Sequence, residues 1–270
     1  MEELRLEEPA PGTYQLYLAS SSAPLTSLVF TLPLFIVYHL GLWWLNTFAG
    51  LHWANAVDIA IANGLARLGV AGPFLSFSLV IVVFLILHAV SGKPARWPPL
   101  HAWFFMLMES LILALPVFML SRLAVKLSDY LGVMSLSAAA GDAALSWQAN
   151  LVLSCGAGVY EEFFFRVILM GAAVIFLGGI IRMKSGWKYV LAGMFQAIIF
   201  AASHHLPGGP EEVTSLTQAK LAVPAFIFRV AAGIYFAFIY VERGFGIAAG
   251  SHAGYDLMVV LLDMLAPMER

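Results

Sequence analysis

Charged side chains are scarce in this sequence of 270 residues. Only 11% of the residues are Asp, Glu, Lys or Arg and 61% are hydrophobic, whereas soluble domains are about one-quarter charged. This shortage excludes an ordinary soluble domain and predicts an integral membrane protein. The formal net charge of −2 also leaves no basic surface that could neutralise phosphates, which argues against a nucleic-acid partner.

Cysteine and a basic N-terminal segment are also lacking. Cys155 is the single cysteine, so an internal disulfide is excluded and the redox compartment cannot be deduced. The first 20 residues are acidic and polar, so we expect no cleavable signal and a first span that stays as an anchor. Richness in Ala, Gly and Leu favours a bacterial source and therefore the inner (cytoplasmic) membrane.

Long apolar runs are abundant. A membrane-spanning helix needs about 20 apolar residues, and buried backbone groups in lipid must be satisfied within each segment or by a closed barrel. The runs lack period-two alternation, so we predict an all-α, polytopic transmembrane bundle of about seven spans. The spans lie near residues 25–45, 73–91, 101–122, 148–181, 188–205, 221–241 and 246–266.

The segments between these spans suggest a simple organisation. Residues 54–70 place Val57 and Ile61 on one apolar face, which indicates a helix at the membrane interface or a re-entrant segment. We expect a single membrane domain with three parts. These are a polar tail at 1–24, N-terminal helices and loops at 25–146, and a core that carries the chemistry at 147–270.

The stretch VYEEFFFRVILMG, residues 159–171, places three ionisable side chains in one of the most apolar runs. Charges in hydrocarbon are costly unless they are paired or face water, so they indicate a functional site. Glu162 and Arg166 are four residues apart and can form an ion pair on one helix face. Glu161 is rotated by about 100° and lacks such a partner. A buried polar cluster that only holds helices together is the alternative.

Two later spans carry imidazoles. His204 lies one turn after Phe200 near the end of the fifth span, where the simpler interpretation is a helix–helix hydrogen bond. In the last span His252 and Asp256 are four residues apart and share a face, so the aspartate can orient the imidazole or add a ligand.

Acid and imidazole groups on three separate apolar helices would each incur a desolvation cost unless they met. We therefore predict that they converge on a wet pocket within the bilayer. Arg229 in the sixth span could contact a pocket acid or a substrate carboxylate, or instead bridge to Glu109 in the third span or to a backbone carbonyl. The predicted pocket residues are Glu161, Glu162, Arg166, His204, His252 and Asp256.

The order of these motifs resembles the CAAX-protease and bacteriocin-processing family of intramembrane proteases, over roughly residues 147–266. The motifs are Glu-Glu-x-x-x-Arg at 161–166, Phe-x-x-x-His at 200–204 and His-x-x-x-Asp at 252–256. The resemblance implies hydrolysis of a peptide bond in membrane-anchored proteins or peptides, with Glu162 and Arg166 shaping and neutralising the pocket.

The resemblance also implies roles for the other four residues. Glu161 would be the general base that activates water, and His204 and His252 would hold that water or stabilise the oxyanion. Asp256 would support His252.

Two alternatives remain open from the sequence. Glu161, His204 and His252 match the ligand types of a catalytic zinc site, but no His-Glu-x-x-His helix is present, and the same groups could run a metal-free hydrolysis. The second alternative is a non-enzymatic scaffold, immunity or transport-assisting protein that uses the polar cluster for binding.

Overall fold

A computed structural model describes residues 13–50, 54–92, 98–130, 146–205 and 222–265. Within these ranges the chain is helical throughout, as predicted. The nine helices are α1 Thr13–Ser21, α2 Pro24–Phe48, α3 Ala56–Arg67, α4 Leu75–Ser91, α5 Leu100–Tyr130, α6 Trp147–Ile180, α7 Ser185–His205, α8 Val223–Arg243 and α9 Phe245–Leu265.

The helical membrane bundle is confirmed, but the count of seven spans is not. Five helices, α2, α5, α6, α8 and α9, are long and apolar enough to cross a membrane. Helix α4 is apolar but has only 17 residues. Helix α7 has 21 residues, yet Lys188 and Gln196 lower its hydropathy, and it is not among the five.

Local sequence signals explain several helix ends. Asn55 caps α3 by accepting hydrogen bonds from two backbone N–H groups of its first turn, and Ser146 caps α6 in the same way through Ala149. Pro33 and Pro116 lie inside α2 and α5. Pro224 instead lies in the first turn of α8, where its missing N–H leaves no internal bond unmade.

Three apolar clusters hold the bundle together. The first joins α2, α4, α6 and α9 around Tyr38 and Tyr160, the second joins α5, α8 and α9 around Phe236, and the third joins α6, α7 and α8 around Met170. The C-terminal helices therefore contact the N-terminal ones over much of their length. The region predicted to carry the chemistry is packed against the N-terminal helices, mainly through α6, α8 and α9.

The N-terminal segment differs from its predicted form, whereas the predicted segment at 54–70 does contain a helix with an apolar face. Residues predicted as a polar tail include helix α1, which packs against α2 and α5. Helix α3 is an attached helix on the outside of the bundle, and Val57 and Ile61 pack against the first apolar cluster. Residues 93–97 and 131–145, which lie between predicted spans, fall outside the described residues.

Candidate active site

Four of the acid and imidazole groups predicted from the three motifs, Glu161, His204, His252 and Asp256, line one cavity of ≈ 90 Å³, which is partly open. This volume has room for several water molecules. The cavity lies between α6, α7, α8 and α9. Its polar lining residues are Glu161, His204, Arg229, His252, Tyr255 and Asp256, and its apolar wall includes Phe200, Phe228 and Phe236.

Glu162 lies behind this cavity and joins two helices. Its Oε1 accepts a hydrogen bond of 2.7 Å from Nδ1 of His252, and its Oε2 lies 3.0 Å from Nε of Arg166. The side chains of Glu162 and Arg166 are both 0% exposed. The predicted i, i+4 ion pair is therefore confirmed, and the same carboxylate also orients an imidazole from α9.

Arg166 is held mainly by charge and by aromatic faces. Its Nε lies at ion-pair distance from Glu162 but not in hydrogen-bond geometry, and its Nη1 and Nη2 have no hydrogen-bond partner within the described part of the chain. The guanidinium carbon lies 4.9 Å from the ring centroid of Phe200 and 5.7 Å from that of Phe236. Such contacts are most favourable in desolvated surroundings like these.

The contacts of His252 differ from those predicted. Its ring stacks on Phe236 with centroids 4.7 Å apart, and its Nε2 lies 3.7 Å from Oδ2 of Asp256. That distance is too long for a direct hydrogen bond. Glu162, not Asp256, is therefore the residue that holds the imidazole directly, while Asp256 faces the nitrogen that remains available.

The tautomer of His204 follows from its contact. Its Nδ1 lies 2.8 Å from the carbonyl oxygen of Phe200, and because a carbonyl only accepts, Nδ1 must carry the proton. In the neutral ring Nε2 is then an acceptor. The ring also packs edge-on against Phe200, with centroids 4.8 Å apart. This hydrogen bond lies within one helix and does not join two helices, as the simpler interpretation had it, and the residue lines the cavity.

Glu161 contacts a residue that the sequence argument did not single out. Its Oε1 accepts a hydrogen bond of 2.9 Å from the side-chain amide of Asn55, which precedes α3. The sequence signal was a possible N-cap before an amphipathic segment, which indicates a helix start but no contact with α6. The carboxylate has a second oxygen, and its side chain is half-buried at the cavity wall.

The geometry of α6 explains why neighbouring glutamates face different helices. The stretches Ala157–Glu161 and Phe163–Met170 form wide π-helical turns, a feature that recurs at functional sites. Glu161 faces α3 and Glu162 faces α9. Gly158 allows α6 and α9 to approach closely, because a Cβ there would lie 2.6 Å from Cβ of Ala253 and 2.8 Å from the carbonyl oxygen of Ala249.

The bridge between Arg229 and Glu109, one of the alternatives for Arg229, is wrong. Glu109 pairs with Arg243 at the other end of α8, where Nε and Nη2 lie 2.5 and 2.9 Å from its two oxygens. Tyr17 also donates to Glu109 at 2.5 Å. Arg229 instead lines the cavity beside the pocket acids.

The arrangement does not form a ready zinc site. Within the described residues, no group of three or more His, Cys, Asp or Glu side chains is placed to hold a metal ion. Nδ1 of His252 is bonded to Glu162, and one oxygen of Glu161 is bonded to Asn55. We therefore derive no chemical step through a metal.

Comparison with known proteins gives a match to a family model for part of the chain. No curated protein and no solved structure matches the chain significantly. Residues 143–258 match the family model described as type II CAAX prenyl endopeptidase Rce1-like. This segment contains all three motifs and every polar residue of the cavity described above, and the match supports membership of the CAAX-protease and bacteriocin-processing family of membrane-embedded proteases.

Proposed function

We propose that this protein is an intramembrane endopeptidase that hydrolyses a peptide bond in membrane-anchored proteins or peptides. The observation that supports it most is that Glu161, His204 and His252, carried by three different helices, line one small cavity with room for water. The family match makes proteolysis the expected activity for such a cavity. The substrate would present its scissile carbonyl from the open side, because the cavity is too small for a peptide segment.

Glu161 is the proposed general base. One of its oxygens is occupied by Asn55, and the other can take a proton from a water molecule in the cavity. The hydroxide then attacks the scissile carbonyl carbon and forms a tetrahedral intermediate. Collapse of this intermediate breaks the C–N bond, and the proton held by Glu161 passes to the leaving amine.

The two histidines are proposed to position the water and to stabilise the oxyanion. His204 presents an acceptor nitrogen, since its Nδ1 proton is committed to the Phe200 carbonyl. His252 donates from Nδ1 to Glu162, and a proton on its Nε2 would allow it to donate to the oxyanion. Glu162 and Asp256 provide the negative charge that balances such a ring.

A matched pair of substitutions tests this proposal. Glu161→Gln keeps the size of the side chain but removes the base, so we expect it to abolish cleavage while abundance and folding stay normal. Glu242→Gln makes the same chemical change at an exposed position and should cleave like the wild type. The measurement is mass spectrometry of membrane-protein termini in cells that carry each variant.

A purified assay complements the cellular one. The protein is reconstituted in liposomes with a prenylated peptide ending in a CAAX sequence, labelled with a fluorophore and a quencher on either side of the cut. Wild-type levels of terminal processing by the Glu161→Gln variant would overturn the protease assignment and favour the non-enzymatic scaffold.

Metal dependence is tested separately. We expect hydrolysis without a metal, because no group of three or more His, Cys, Asp or Glu side chains among the described residues is placed to hold a metal ion. Purified protein should therefore keep its activity after exhaustive chelation. Loss of activity together with release of about one equivalent of zinc, as a catalytic site would hold, would contradict this expectation.

We also propose that α4 and α7 cross the membrane, which gives the seven spans expected from the sequence, and that the membrane is the bacterial inner membrane. Seventeen residues, as in α4, lie at the short end of the spanning range. Cys155 is buried, so single cysteines introduced at Gly72 and Val90 can be labelled selectively. If α4 spans, an impermeant maleimide reaches them from opposite sides of the membrane.

A further inference from the structure

Asn55 is the one side chain from outside the family segment for which the structure gives a hydrogen bond to Glu161 among the described residues. Its Nδ2 donates to Oε1 of Glu161 at 2.9 Å. The residue is 8% exposed although it lies at the start of a helix on the outside of the bundle. The structure therefore places a buried amide in direct contact with a half-buried carboxylate that is the proposed base.

The orientation of this amide is fixed by the helix that it caps. Its Oδ1 accepts from the backbone N–H of Val57 at 2.9 Å and from that of Asp58 at 3.4 Å. Because those donors require an oxygen, the NH₂ group must be the end that faces Glu161. The capping role and the contact with Glu161 therefore use opposite ends of one side chain.

A tyrosine fixes the backbone of the same residue. The N–H of Asn55 donates to Oη of Tyr38 at 2.9 Å, and Tyr38 donates its own proton to Oδ2 of Asp58 at 2.9 Å. Tyr38 is 0% exposed and its ring packs against that of Tyr160, the residue before Glu161, with centroids 5.4 Å apart. Asn55 is thus held rigidly relative to both α2 and α6.

We propose that Asn55 is a positioning residue for the reaction: its amide holds one oxygen of Glu161 so that the other faces the cavity water. This inference rests on the proposed protease function. It makes helix α3, which lies outside the family-matched residues 143–258, part of the active site. A preorganised base loses little on reaching the transition state, which is why its orientation affects the rate.

Two substitutions remove the donor but keep the helix cap. In Asn55→Ser and Asn55→Asp the side chain can still accept from the first turn of α3, because Ser and Asp are as good at this position as Asn. We expect kcat to fall about tenfold to a hundredfold, the range for a hydrogen bond to a charged group, with KM unchanged. Asn55→Asp should have the larger effect because it places a second carboxylate beside Glu161.

Ser76→Ala is the matched control. Ser76 connects α4 to α3 by donating a hydrogen bond of 3.2 Å to the carbonyl oxygen of Asp58, and it is not among the residues that line the cavity. Loosening α3 in this way should leave kcat unchanged. A loss of kcat in Ser76→Ala equal to that in Asn55→Ser would show that general attachment of α3 is what matters, and would overturn the positioning role.

A measurement that needs no substrate separates this proposal from the proposed function. Thermal unfolding midpoints of Asn55→Ser, Glu161→Ala and the double variant form a cycle. We expect the double variant to lose less than the sum of the single losses, since both remove one hydrogen bond. Additive losses, or Asn55 variants with wild-type kcat, overturn the positioning role, whereas a wild-type protein that cleaves nothing overturns the proposed function.

Discussion

Two pairs of glutamate and arginine occupy different parts of the bundle and are built differently. Glu162 and Arg166 belong to one helix, are both 0% exposed, and make a single ionic contact. Glu109 and Arg243 join α5 to α8 through two hydrogen bonds and are 24% and 12% exposed. In the second pair, Tyr17 also donates a hydrogen bond to Glu109, and Arg243 donates one to Ser21. Four side chains from three helices therefore form one hydrogen-bonded cluster.

We interpret this difference, under the proposed activity, as that between a functional arrangement and a structural one. In the Glu109 cluster the charged groups form hydrogen bonds with each other and with Tyr17 and Ser21, which connects α1 to the end of α8. In the Glu162 pair the guanidinium nitrogens have no hydrogen-bond partner among the described residues, whereas the carboxylate accepts a hydrogen bond from His252. Incompletely paired buried charge is costly, so its presence beside the cavity suggests that it serves the histidine.

Removal of Arg166 is expected to have the largest effect. Arg166→Ala leaves Glu162 buried without its countercharge, and breaking a buried pair in this way costs about 3–5 kcal/mol. Arg243→Ala should cost less, because Glu109 is partly exposed and keeps Tyr17. Unfolding of both variants in mild detergent provides the comparison. Normal accumulation and stability of Arg166→Ala would contradict the importance of the ion pair.

Neutralisation of each glutamate should affect activity unequally. Glu162→Gln keeps an acceptor for His252 but removes the charge, so we expect the cleavage rate to fall about tenfold to a hundredfold. Glu109→Gln should cleave at close to the wild-type rate, since that cluster lies outside the cavity lining. Initial rates in liposomes measure both. Equal losses of cleavage rate in the two variants would contradict the proposed difference between the two pairs.

Separation of α6 from α9 should have an intermediate effect. Gly158→Ala places a methyl group 2.6 Å from Ala253, and such overpacking costs about 1–3 kcal/mol. Because the shift also parts Glu162 from His252, activity should fall with stability. Gly193→Ala is the control, since its methyl group would meet Ala237 at an ordinary 3.6 Å. Unchanged activity in Gly158→Ala would show that the close approach is not required.

The smallest effect is expected for Tyr17→Phe. It removes one hydrogen bond to Glu109, for which a loss of about 1 kcal/mol in the free energy of unfolding is typical. Cleavage should be unaffected. Tyr14→Phe, at a position of the same helix that is 70% exposed, should change neither quantity. A drop in cleavage rate for Tyr17→Phe would mean that the cluster communicates with the cavity.

Sequence reasoning succeeded where an interaction lies within one helix. The apolar runs predicted the helix positions to within a few residues for most spans, and spacing predicted the pair Glu162–Arg166. Spacing also placed His252 and Asp256 on one face, but it could not reveal that Glu162 from another helix would be the closer partner. Such contacts depend on how helices pack, which no periodicity specifies.

The same limit explains two other differences. Arg229 and Arg243 both lie on α8, and only the packing of α5 against α8 decides which of them meets Glu109. Asn55 looks like an ordinary cap in the sequence, because nothing local indicates that α3 folds back onto Glu161. The convergence of the three motifs was predictable from the cost of isolated polar groups in lipid.

The place of Asn55 along the chain sets a limit on how far this protein can be shortened. Residues 143–258 contain all the acids and imidazoles of the cavity, so grafting that segment onto a foreign anchor would transfer every group expected to react. The graft would nevertheless work slowly unless helix α3 and its tyrosine support from α2 were transferred with it.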